Sequence, residues 1–238
     1  MESNIVDGLG EDLLLLSLRA DKGNLATGDL IDYALMASEL VRLAARGRIE
    51  IQADHVVVRD EASVGDAELD AALDGLSRAK RPPQPRKWFA SRPSGLALTY
   101  LKRLVSSGAL RSEPRRIVGT RWLIADPARV ADARARLDAI ALSAGQVDVA
   151  QAAFGGLAHA ISLDDFLYPG KANRSARERL DQIAKGQWTG EAVTGAVTDA
   201  AAIDTTAAGT RASIRAVVQA ATNAVIEVAR AHRGAPLT

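Results

Sequence analysis

Apolar residues recur along most of this chain at helical spacing. In TGDLIDYALMASELVRLAARGR, Leu30, Ala34, Val41 and Ala45 return near a period of 3.6 and predict a helix over residues 29–46. Thr27 or Asp29 can cap its start, and Gly47 supplies its stop. Before it, EDLLLLSLRADKGNL (residues 11–25) reads as a short apolar strand or helix start, then a turn at 21–24. After it, Ile49, Ile51, Val56 and Val58 alternate around Ala53-Asp54 and predict a hairpin. VGDAELDAALDGLSRAK (residues 64–80) predicts a second helix, with Asp66 as N-cap and acids in its first turn, where the helix dipole favours them.

Residues 81–95, RPPQPRKWFASRPSG, break that rhythm. Their prolines predict a rigid, extended linker. LALTYLKRLVSSGAL (residues 96–110) is a helix ending near Gly108, and residues 115–125 predict a hairpin turning at 118–120. Asp126-Pro127 opens a further helix, since proline is favoured at the first helical position. The remainder is Ala-rich and helical, over 148–163, 174–186 and roughly 188–232, with a break expected near Gly209. Helix, glycine, hairpin thus occurs twice, at 29–58 and 96–125. The second copy, LVSSGALRSEPRRIVGTRWLIADP, has the form of a winged-helix wing.

Composition narrows the function. The 238 residues include no Cys and three scattered His, which argues against a disulfide scaffold, a Cys nucleophile or a His-based zinc site. No apolar run approaches the ~20 residues of a membrane span. The opening MESNIVDGLGED lacks a basic n-region, so a cytoplasmic chain without signal peptide is expected. No phosphate-cradling Gly loop or Gly-x-Ser-x-Gly elbow occurs, and Gly155-Gly156 reads as close helix packing. Glu11-Asp12 and Asp164-Asp165 are neighbours that point apart on a helix, Asp70 and Asp74 read as a solvated face, and His159 as a semi-buried core residue. A non-enzymatic protein with no cofactor is therefore expected.

The net charge of +1 conceals an asymmetry. Residues 1–77 carry a net −10, residues 78–136 a net +12, and the rest −1. A +12 stretch concentrates anions such as phosphate head groups or nucleic acid, unless it pairs with the acidic first part. Within it, Arg86, Lys87 and Arg92 flank Trp88, and Arg115, Arg116 and Arg121 line the hairpin beside Trp122. Aromatic rings with basic neighbours suit a lipid interface. These seven cations and rings — Arg86, Lys87, Trp88, Arg92, Arg115, Arg116 and Arg121 — are the candidate site for an anionic lipid or head group. On the hairpin, Ile117, Val118 and Trp122 are the candidate membrane or self-association surface, because a two-stranded element cannot bury both its faces. Two rival readings are a winged-helix nucleic-acid binder using Tyr100, Lys102 and Arg103, and an adaptor that holds other proteins through the C-terminal helices.

Several blocks in order resemble the Golgi phosphoprotein 3 family. They are EDLLLLSL (11–18), ELVRLAARGRIEI (39–51), VGDAELDAAL (64–73), RKWF (86–89), LVSSGALR (104–111), the hairpin running into ADP (125–127) and ERLDQIAKGQW (178–188). The chain looks like a bacterial, actinobacterial member. The resemblance implies one mostly α-helical domain over 1–238 with short β-hairpins and an embedded winged-helix-like element. Its parts would be a helix/hairpin part (9–80), the basic linker (81–95) and a helix, hairpin and C-terminal helices (96–238). It also implies peripheral association with the inner face of a membrane, binding of anionic or phosphoinositide lipid, and homo-oligomers through the hairpin. Eukaryotic members bind phosphatidylinositol 4-phosphate and link Golgi enzymes to vesicle traffic. The positions of their head-group Trp and three Arg fall here on Thr27, Met36, Ser94 and Ala97.

Overall fold

The computed structural model describes residues 2–91, 95–114, 119–188 and 205–234. The chain is mostly α-helical. Helix α1 (Glu2–Ser17) leads into a short antiparallel pair, β1 (Leu18–Arg19) and β2 (Asn24–Leu25). Next come α2 (Leu30–Ala45), the hairpin β3 (Ile49–Gln52) and β4 (His55–Val58), α3 (Ala67–Ser77), α4 (Pro85–Ser91) and α5 (Leu96–Ser106). The hairpin β5 (Leu110–Pro114) and β6 (Thr120–Ile124) precedes α6 (Pro127–Ala141), α7 (Val149–Ala160), α8 (Leu163–Leu167), a 3-10 turn (Lys171–Asn173), α9 (Arg174–Ala184) and α10 (Thr205–Gly234).

Helix α2 is the centre of the packing. It is buried along almost its whole length and touches α1, α3, α5, α7 and α10. The Leu13–Leu16 run, read as a strand or helix start, is the buried end of the four-turn helix α1. Helix α7 is the second buried element, and it is narrow because it is built from Ala and Gly. A Cβ at Gly155 would sit 3.0 Å from Leu180 Cδ2 and 3.1 Å from Ile140 Cγ2, so its absence sets how closely α6 and α9 approach.

Local chemistry explains the ends of these elements. Asp66 caps α3 by accepting from the Leu69 amide, and Asp126 caps α6 ahead of Pro127. Asp148 and Gln151 form a capping box on α7. Gly47, at φ +70, closes α2 as expected, but Asp29 makes no side-chain cap at its start. The β3–β4 turn puts both Ala53 and Asp54 at positive φ, the geometry that two-residue hairpin loops require.

The extended linker expected at 81–95 is interrupted by a helix. Pro85 lies in the first turn of α4, where its missing N–H costs nothing, and Trp88 and Phe89 drive the helix onto the core. Ahead of α4 the chain is pinned where the Val56 amide donates to the Pro83 carbonyl. The second hairpin also starts earlier than predicted. Leu110 pairs with Ile124 and Pro114 with Thr120, and the amides of Ala125 and Asp126 close its root on the Ala109 carbonyl. Helix α5 packs on β5, giving the helix-plus-hairpin unit of a winged-helix-like element. The last helix runs unbroken through Gly209, while the 189–204 part of that predicted helix lies outside the described residues.

Candidate functional site

The basic stretch divides into cations that the fold consumes and cations that it displays. Arg103 on α5 reaches Glu11 (3.0 Å), Asp66 (3.0 Å) and Glu68 (3.2 Å). Arg129 on α6 pairs with the same Glu11, and Arg136 pairs with buried Asp12 at 2.6 Å. All four acids come from the acidic first part of the chain. The charge asymmetry is therefore partly structural: it joins α5 and α6 to α1 and α3.

Other cations stay outside. Arg86 and Lys87 lie exposed on α4, Arg86 with Glu227 of α10 at 3.9 Å. Lys80 and Arg81, just ahead of α4, are exposed as well. Their place in the same charge run, AKRPPQPRK, was the available signal for them. Lys102 and Arg111 are the exposed cations of α5 and β5. Among the described residues, no carboxylate lies within ion-pair distance of Lys80, Arg81, Lys87, Lys102 or Arg111.

Trp88, expected beside these cations at the surface, is instead a core residue. It is only 6% exposed, and its ring lies so close over α3 that a Cβ at Gly75 would fall 2.7 Å from Cη2. The amphipathic turn of α4 explains this: Trp88 and Phe89 face inward while Arg86 and Lys87 face out. Arg92, Arg115, Arg116, Ile117 and Val118 lie outside the described residues.

On the hairpin, Trp122 is half-buried and packs on the rim of the core. Arg121 donates from Nη2 to the carbonyl of Asp21 at 3.0 Å. The two halves of the expected site have different supports. Helix α4 rests on α10, α2 and, through Trp88, α3, whereas the hairpin rests on α5 and the 21–23 turn.

The first turn of α5, which holds Ala97, one of the positions matched to the family's head-group arginines, is filled from within, while Ser94 lies outside the described residues. Asp32 of α2 accepts from the amides of Gly95 (2.7 Å) and Ala97 (2.6 Å), satisfying donors that would otherwise attract an anion. Further along α5, Tyr100, Leu101 and Leu104 are buried and Arg103 is held by acids. Leu98, 47% exposed, faces out with Thr99, Lys102 and Ser106.

A second polar cluster was not foreseen as a cluster. His159, at the end of α7, shares a 2.8 Å hydrogen bond between Nδ1 and the buried carboxylate of Asp164 on α8. Its Nε2 lies 3.5 Å from Asp181 on α9, which also binds Lys185. Burial opposes the imidazolium, but the Asp164 bond and the charges of Asp164, Asp181 and Asp165 outweigh it and raise the pKa above the ordinary 6.5. The stability that His159 adds is therefore complete below the unfolded-state value and is lost as pH rises through the higher folded-state value. Denaturant midpoints of the wild type and His159→Gln, measured from pH 5.5 to 8.5, should differ most at the acid end and converge at the alkaline end. A constant gap would mean that His159 acts by packing alone.

Among the described residues, no group of three or more His, Cys, Asp or Glu is placed to hold a metal ion, and no helix is long and apolar enough to cross a membrane. No curated protein matches the chain. The family model described as Golgi phosphoprotein 3 (GPP34) matches residues 9–200, which takes in the second half of α1 and every described element from β1 through α9. A helical body of this kind, matched over most of its length, belongs to the Golgi phosphoprotein 3 family.

Proposed function

We propose that this chain is a non-enzymatic peripheral membrane protein that binds anionic lipid or phosphorylated head groups through its displayed cations. The observation that carries the reading is the set of exposed cations left after the fold has neutralised Arg103, Arg129 and Arg136, with no carboxylate in ion-pair distance among the described residues: Lys80, Arg81, Lys87, Lys102 and Arg111. Arg86 adds to the α4 group, and Arg92, Arg115 and Arg116 belong to the same two chain segments. Each Lys or Arg near an anionic surface contributes about 1 kcal/mol. The hairpin, with Ile117, Val118 and Trp122, would add shallow apolar contact or a self-association surface. The family's lipid habit agrees with this chemistry, but the Asp32 bonds at the head of α5 argue for binding by a displayed basic surface instead of a copy of the eukaryotic head-group pocket. A nucleic-acid role fits less well, since of the two cations on α5 Arg103 is held by acids and Lys102 alone has no carboxylate partner among the described residues.

The test is flotation with phosphatidylcholine vesicles, with and without phosphatidylglycerol. The wild type should float only with the anionic vesicles. Lys80→Glu/Arg81→Glu/Lys87→Glu should lower partitioning by roughly a hundredfold or more, from about 1 kcal/mol per cation removed. Failure of the wild type to float with either vesicle would end this reading.

A further inference from the structure

The turn between β1 and β2 is seated against the outer side of β6. Gly23 is buried there, although it lies at the tip of a surface turn, and it adopts φ +62. Its carbonyl accepts from the Trp122 amide at 3.1 Å, and the Asp21 carbonyl accepts from Arg121 Nη2 at 3.0 Å. A Cβ at Gly23 would overlap Arg121 Cγ and come within 2.9 Å of the Trp122 carbonyl oxygen. The turn is itself held in shape, since the amides of Lys22 and Gly23 both donate to the Arg19 carbonyl. Arg19 in turn lies over the Phe166 ring of α8, 5.6 Å from its centre. Two-stranded hairpins are marginal when nothing supports them. Beyond its root at Ala109 and its contact with α5, this one is gripped in the middle of β6 by a segment a hundred residues earlier in the chain.

We infer that the 21–23 turn is a latch that fixes the direction of the β5–β6 hairpin, with Gly23 and Arg121 as positioning residues. Arg121 then serves the membrane surface by orienting the strand that carries Trp122, through the Nη2 bond to the Asp21 carbonyl. The consequence for lipid binding rests on the proposed function, but the latch itself does not.

Gly28 provides a matched control. It sits at φ +55 between β2 and α2, and among the described residues no atom beyond its chain neighbours lies within 4 Å of where its Cβ would be. Gly23→Ala and Gly28→Ala therefore impose similar backbone strain, and only the first pushes on the hairpin. Hydrogen exchange on the full chain should show the Trp122 amide and its β6 neighbours exchanging about tenfold faster in Gly23→Ala than in Gly28→Ala, with α2 and α7 amides alike in both. Equal protection of β6 in the two variants would overturn the latch. Flotation with phosphatidylglycerol vesicles then reads its use. With every cation retained, Gly23→Ala should bind several-fold more weakly than Gly28→Ala. If β6 is loosened and the two variants float equally, the positioning role is refuted. If even the wild type does not float, the lipid reading fails while the exchange result still decides the latch.

Discussion

Trp88→Ala should unfold the chain at markedly milder denaturant, with a loss of about 3–5 kcal/mol, the usual cost of deleting a buried aromatic. The ring is almost wholly enclosed, and it fills the space over Gly75 between α3 and α4. The facing position on α3, Gly75, has no side chain to reach into the gap. Set against a total stability of roughly 5–15 kcal/mol for a domain, that loss is a large fraction of the whole. Thermal melts should register a fall of roughly 10 °C or more for a chain of this size. A tryptophan held at the surface for lipid would behave in the opposite way, lowering vesicle binding while leaving the melt in place. An unchanged melt for Trp88→Ala would contradict the burial. By contrast, Lys87→Ala, one position earlier and exposed, should leave stability nearly untouched.

The contrast between these neighbours shows what was legible beforehand. Their composition, two cations beside two aromatics in a proline-rich run, reads as an extended surface segment. The structure instead uses Pro85 to start a helix, and one turn of helix is enough to send Trp88 and Phe89 to one side and Arg86 and Lys87 to the other. Features decided within a few residues were readable: the Asp66 cap, the Asp126-Pro127 start, the Gly47 stop and the close packing at Gly155. Features decided by distant partners were not. Arg103, Arg129 and Arg136 count toward a basic stretch in sequence, yet their partners Glu11, Asp12, Asp66 and Glu68 lie on α1 and at the start of α3. No spacing rule announces that Asp21 and Arg121 meet, or that Asp32 fills the head of α5. The mostly helical class with short hairpins follows from local periodicity, while the accounting of free and spent charge needs the tertiary structure.

Arg42→Met should be strongly destabilising, at about 3–5 kcal/mol, because it removes a buried guanidinium and leaves the largely enclosed Asp66 carboxylate without its main partner. Arg42 rises from the central helix α2 and binds Asp66 at 2.8 Å, with side-chain exposures of only 4% and 12%. It also donates to the Tyr100 hydroxyl at 3.4 Å. Burial alone would raise the Asp66 pKa, but the Arg42 bond and charge, the Leu69 amide and Arg103 more than reverse that and hold it at about 2. Against an ordinary 3.8, this lowering represents on the order of 2 kcal/mol of stability. Because the folded-state value is depressed, that contribution is complete above the unfolded value and is lost as pH falls toward 2. In Arg42→Met the largest lowering influences on Asp66 are removed, so the stability gap to the wild type should be widest near neutral pH and narrow below pH 3. Adding Asp66→Asn should recover part of the loss at pH 7. The amide is uncharged, keeps an oxygen for the Leu69 amide at the head of α3, and no longer strands a negative charge among Glu11 and Glu68. Guanidinium titrations of the three proteins at pH 7 and pH 3 would decide it. If Arg42→Met is no worse than a surface change at pH 7, or if Asp66→Asn deepens the loss, then the pair does not carry the junction of α2, α3 and α5.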